Sequence, residues 1–181
     1  MRKIKTIEPL ISELADEKKD STGVLQIMKQ VDIPREEYEK YYSWSDEKYA
    51  RNVLERNNEF EILLICWEKG QLSPIHDFNS QEAWIHPVQG WIKEGRFKIN
   101  PGDDASLEKV SSVLLGTDEY SYMNQVGIHR YSNAYEVRPF SLNVYSKPVT
   151  EWRVYDEETS NSEVMKTWES KNFELTSTEL V

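Results

Sequence analysis

Between residues 59 and 155 the chain is divided into short β-prone runs by turn signals that recur every few residues, and this limits its fold more than any other feature. The first run, residues 59–67 (EFEILLICW), is bounded by Asn57-Asn58 and Lys69-Gly70. It is too short for an ordinary helix and suits a strand buried on both faces. Similar runs follow at residues 83–88, 91–99, 110–115, 120–123, 126–131, 140–145 and 150–155. Between them stand Gly90, Asn100-Pro101-Gly102, Gly116-Thr117-Asp118, Asn124-Gln125, Ser132-Asn133 and Lys147-Pro148, residue types that reverse a chain. Many short strands at close spacing predict a mainly β fold, a sandwich or small barrel.

Residues 6–44 have a different period. Ile7, Leu10, Ile11 and Leu14 share one helical face after a cap at Thr6, and Val24, Leu25, Met28 and Val31 repeat the spacing. Asp32 as a cap with Pro34 in the first turn would start a third helix, with Tyr38, Tyr41 and Tyr42 on one stripe. Three short helices are therefore expected to cover one end of the sheet structure. From Asp156 onward the sequence turns polar, with Val164, Met165, Trp168 and Phe173 as its apolar anchors, so residues 157–181 are expected as a loosely packed or partly disordered tail.

A length of 181 residues without a composition break predicts one domain. Asp and Glu number 32 against 22 Lys and Arg, which argues against a nucleic-acid surface and for a small molecule or a protein as partner. The lone cysteine, Cys66, lies in an apolar run; it is expected as a buried thiol and is compatible with a reducing cytosol. In MRKIKTIEPL, Glu8 and Pro9 interrupt any apolar stretch, so neither a signal peptide nor a membrane span is expected, and the predicted location is cytoplasmic.

Two stretches carry chemistry. Residues 70–90, GQLSPIHDFNSQEAWIHPVQG, hold His76 between two glycines, and residues 127–133, GIHRYSN, hold His129. Their layout resembles the paired metal motifs of a cupin barrel. Further matches narrow the resemblance: Tyr49-Ala50-Arg51-Asn52, Cys66-Trp67, Ser73 to Asp77 with its Ile-His-Asp, Val88-Gln89-Gly90, Gly127-Ile128-His129-Arg130, Ser141-Leu142 and Tyr145-Ser146. Over residues 49–148 the chain is similar to the cysteine dioxygenase family.

That resemblance implies a cupin barrel in which three neutral histidines hold ferrous iron, and in which dioxygen oxidises the sulfur of cysteine to a sulfinate. It implies that Arg51 binds the substrate carboxylate, as a guanidinium forms a two-pronged charge-assisted pair, and that Tyr145 lies near substrate and dioxygen. His76 and His129 match two iron ligands. Three positions depart from the family: Phe78 stands for the remaining iron histidine, Ala83 for a cysteine that some members cross-link to the tyrosine, and Asn143 for the histidine that orients the tyrosine hydroxyl. Asn143 keeps hydrogen-bonding capacity without proton transfer at neutral pH.

A water or Glu82 is the candidate replacement for the lost ligand. Strand alternation with Ala83 facing the metal turns Glu82, Trp84 and His86 away, whereas a β-bulge near Gln81 would bring Glu82 inward. His86 is a weaker candidate, expected on the outer strand face before Pro87. The leading expectation is an iron protein, cysteine-dioxygenase-like, acting on a small thiol that carries a carboxylate. The alternative is a member without catalysis that binds a small carboxylate or a protein partner, and a third is altered oxidative chemistry at a two-histidine iron.

Overall fold

Two antiparallel sheets built from residues 50–166 face each other across an aromatic-rich interior. The computed structural model describes residues 3–16, 21–78, 82–100, 106–124 and 127–166. In chain order the strands are β1 (Ala50–Arg56), β2 (Glu61–Cys66), β3 (Ile75–Phe78), β4 (Glu82–Gln89), β5 (Ile92–Asn100), β6 (Ser106–Leu115), β7 (Ser121–Asn124), β8 (Ile128–Ser132), β9 (Phe140–Tyr145), β10 (Glu151–Tyr155) and β11 (Ser162–Lys166). One sheet runs β1-β2-β9-β4-β7 and the other β11-β10-β3-β8-β5-β6. This is the expected mainly β barrel of cupin type.

The apolar runs of β2 and β9 are continuous because each strand serves two cores. Ile62, Leu64 and Cys66, with Phe140, Leu142 and Val144, point to an outer core covered by the N-terminal segment. The alternate residues Leu63, Ile65 and Tyr145 point into the barrel with Ala83 and Ile85 of β4. Every residue of both strands is buried. Cys66 is a free thiol on the outer side, with the Asn52 amide 3.6 Å from its sulfur, and burial pushes its pKa up to about 12.

Two helices form where the apolar spacing predicts them, α1 (Ile7–Leu14) and α2 (Ser21–Met28). Ile7 and Leu10 are buried on the outer core and Ile11 and Leu14 pack beside them; Thr6 occupies the N-cap without a side-chain bond. The expected third helix is instead a single 3-10 turn, Arg35–Tyr38. Asp32 cannot cap it: its backbone N–H donates to the Ile4 carbonyl at 2.9 Å and its carboxylate pairs with Lys5 at 2.6 Å. Pro34 before the turn is extended, and the turn buries Tyr38 edge-on against Phe140.

Part of the polar tail is described. Residues 162–166 form β11, an edge strand in register with β10 from Glu151↔Lys166 to Tyr155↔Ser162, held by backbone pairing that needs little apolar side-chain content. Trp168, Phe173 and the rest of residues 167–181 lie outside the described residues, as do Gln125, Val126, Pro101 and Gly102. Gly90, which closes the first motif, has φ +71°, and a Cβ there would lie 3.0 Å from Pro139 Cβ, so both conformation and space call for glycine. Among the described residues no helix is long and apolar enough to cross a membrane.

Candidate functional site

His76 on β3 and His129 on β8 are direct cross-strand partners, which sets their side chains on the same inner face of one sheet. Their ring centres are 4.6 Å apart and nearly perpendicular. His76 Nδ1 lies 2.9 Å from the Pro74 carbonyl; a neutral ring donates there and leaves Nε2 as the unprotonated nitrogen. Burial, reinforced by His129, holds the pKa of His76 well below its ordinary value. His129 is 1% exposed, and burial with the nearby Arg96 charge pushes its pKa down to about 3. Among the described residues neither of its ring nitrogens has a hydrogen-bond partner, although the Gly127 backbone lies near enough to act on the ring.

Pleat alternation brings Phe78 to the face of His76, as the spacing of two predicts. Its ring centre is 6.1 Å from His76, 5.5 Å from His129 and 5.3 Å from Tyr145. Trp152 of β10, opposite Phe78 in register, closes the wall with its ring 5.0 Å from that of His76. Arg51 on β1 pairs with the inward-facing Ile65 and sets its guanidinium 5.8 Å from the Trp152 ring centre. Tyr49 stacks on Trp67 at 4.4 Å beside it. Tyr145 lies opposite Ala83, and burial raises its phenol pKa, so at neutral pH the hydroxyl stays protonated and able to donate. These residues line a cavity of about 30 Å³, enough for about two water molecules at roughly 10–15 Å³ each.

Arg51, His76, Phe78, His129 and Tyr145 thus meet in one pocket, and three other expected residues do not join them. Glu82 as a third ligand is corrected: it faces outward, where the Tyr122 hydroxyl donates to its Oε1 at 2.6 Å. The register of β4 with β9 is continuous from Ala83↔Tyr145 to Pro87↔Ser141, so Ala83 takes the inner face and Glu82 the outer. A bulge near Gln81 falls outside the described residues. Asn143 points inward between Leu63 and Ile85, but its Oδ1 is buried without a partner and no hydrogen bond ties it to Tyr145. His86 is half-buried on the outer face with Nδ1 2.9 Å from the Glu119 carbonyl.

The sequence reading assigned no role to Trp152, Tyr131, Ser73 or Val149, which complete the lining. Trp152 carried a signal in its alternation with Val154 on a β-prone run, and Ser73 and Tyr131 lie inside the two motif stretches, residues 70–90 and 127–133; Val149 sits in no motif.

The donor set does not fit ferrous iron held by three histidines. His76 and His129 offer two neutral imidazoles in the protonation state a metal requires, and the unpartnered nitrogens of His129 are costly to bury. Phe78, its ring centre 5.5 Å from that of His129, offers no donor atom where the family has its third histidine, and among the described residues no group of three His, Cys, Asp or Glu side chains could hold a metal ion.

Comparison with known proteins gives a consistent relationship. The family model described as cysteine dioxygenase type I matches residues 2–158. The chain is 28% identical to human cysteine dioxygenase type 1 over 152 residues, covering 82% of this chain and 76% of that protein. It is 29% identical to the zebrafish (Danio rerio) protein of the same name over 191 residues, covering 98% and 93%. Among solved structures, a Klebsiella pneumoniae protein with a double-stranded β-helix domain aligns with TM-score 0.49 at 12% identity, over 70% of this chain and 85% of that one.

Proposed function

The chain belongs to the cysteine dioxygenase family, and from that premise we propose that it binds a small carboxylate-bearing molecule, such as an amino acid or a thiol acid, in the Arg51 pocket without the family's iron. The observation that carries this reading is the Phe78 ring, set between His76, His129 and Tyr145 in the position of the absent ligand while Arg51 and Tyr145 keep theirs. Arg51 supplies a planar cationic fork for a carboxylate, and the Trp152 face behind it limits the directions that fork can take. Tyr145 contributes a neutral hydroxyl donor and His129 a neutral ring nitrogen. A volume of about 30 Å³ suits a carboxylate or thiol head, with the rest of the ligand at the mouth beside the half-buried Arg51.

The test is calorimetric titration of L-cysteine, cysteine sulfinate and glycolate into chelator-treated protein. One ligand per chain, lost in Arg51→Ala, is the expected result; absence of heat with every acid in the series overturns the reading.

Family membership supports cysteine and dioxygen as a second reading, in which the chain oxidises the sulfur of a carboxylate-bearing thiol to a sulfinate with iron held by His76 and His129. The unpartnered nitrogens of His129 favour it. Thiol-dependent oxygen uptake by iron-loaded protein, abolished in His76→Ala, would select this reading over the first.

A further inference from the structure

A second, larger cavity opens where β7, at the edge of one sheet, faces β5 and β6 of the other. Its volume is about 360 Å³, within the range of roughly 300–1,000 Å³ that holds small ligands. Its lining shares only His129 with the Arg51 pocket.

Strand β5 builds its polar side. Glu94 and Arg96 are two residues apart, opposite Tyr131 and His129, with Glu94 buried and Arg96 half-exposed at the rim, and the register shift between Arg96 and Phe97 brings the Phe97 ring to the same side. Glu94 is fully buried; its Oε2 accepts from Arg96 Nη2 at 2.9 Å and from Ser121 Oγ at 3.1 Å, and its Oε1 accepts from the Tyr131 hydroxyl at 3.2 Å. This network holds the guanidinium by one nitrogen. Nε and Nη1 of Arg96 make no hydrogen bond among the described residues, so N–H groups of a guanidinium already positioned by Glu94 stay available at the half-exposed rim. Val110, Met123 and Ile128 supply an apolar wall with Phe97. The floor is His129, 1% exposed, with two unpartnered ring nitrogens.

We propose that this cavity is a second ligand site, separate from the Arg51 pocket, for a small acid with an aromatic-sized apolar body and a hydroxyl remote from its carboxylate. Arg96 pairs with the carboxylate through the N–H groups that Glu94 leaves free, the apolar wall lies along the body, and the hydroxyl donates to His129. Arg96 and His129 are cross-strand partners, so one short ligand can reach both.

The probe is 4-hydroxyphenylacetate, titrated calorimetrically into the full chain, with phenylacetate lacking the hydroxyl as its comparison. One equivalent is expected to bind, and phenylacetate more weakly. Arg96→Lys keeps the charge but loses the planar array of donors that Glu94 positions, and should weaken binding about tenfold or more. Val110→Trp, at a half-exposed position of β6 where the fold tolerates a larger side chain, should block the cavity and abolish binding. Arg51→Lys should leave it unchanged. Three results would overturn the proposal: no binding of either acid, equal binding by the wild type and both cavity variants, or loss of binding in Arg51→Lys, which would assign the molecule to the first pocket.

Discussion

Replacing Phe78 by histidine tests why this pocket differs from its relatives. The ring is 9% exposed and packs against three aromatic partners, so Phe78→His exchanges buried apolar area for a smaller polar ring; we expect a loss of about 2–3 kcal/mol in metal-free protein. In return it sets a third imidazole on the face that carries His76 and His129. Removing even an outer partner of a metal ligand costs about 10- to 100-fold in affinity, so gaining a direct ligand should strengthen ferrous binding by at least about 100-fold. Iron at about 100 times the dissociation constant then returns about 2.7 kcal/mol, close to the whole loss. The assay is anaerobic urea unfolding with and without ferrous iron. The variant should be less stable than wild type without iron and regain that stability with it, while wild type responds to neither. An iron response of wild type equal to that of the variant would refute the assignment of Phe78 as the residue that removes the metal.

Three further outcomes follow from the burial and bonding of single groups. Burial holds His76 and His129 neutral in the fold, with pKa values below those of the unfolded chain, so on acidification the unfolded state takes up protons first. Stability should be complete above about pH 6.5 and fall below it by about 1.4 kcal/mol per pH unit per histidine, continuing towards about pH 3 for His129; urea unfolding at pH 7 and pH 5 measures the slope, and His129→Phe should reduce it. Tyr122→Phe removes a 2.6 Å bond to the buried Glu82 and should cost about 1–3 kcal/mol without changing acid binding at Arg51; a change in that binding would mean that Glu82 serves the pocket. Cys66, its pKa pushed up to about 12, should react with a thiol reagent at pH 8 only as fast as the chain unfolds, and rapid labelling of the native protein would contradict that burial.

How far the sequence carries depends on whether a residue's role is local. The β architecture is legible because the runs and turn residues are local signals, and the shared face of His76 and Phe78 follows from alternation alone. The third helix fails because Asp32, a good cap by composition, is taken by Ile4 and Lys5, distant in sequence. β11 escapes notice because an edge strand paired on one side needs no apolar run. Glu82 stayed open in the sequence because a one-residue bulge would reverse its face; only the register with β9 decides. Trp152 and the Glu94–Arg96 pair were invisible as site residues for a related reason: their significance arises from strands that pair with β3 and β8 across long stretches of chain.

The account turns on whether Phe78 has displaced the family's iron, and metal content per chain measures that directly. Elemental analysis of wild-type protein purified without chelator, and again after anaerobic loading with ferrous iron, should find iron far below one equivalent in both preparations. One iron per chain, lost on His76→Ala, would show that two histidines suffice to hold the metal and would contradict the account.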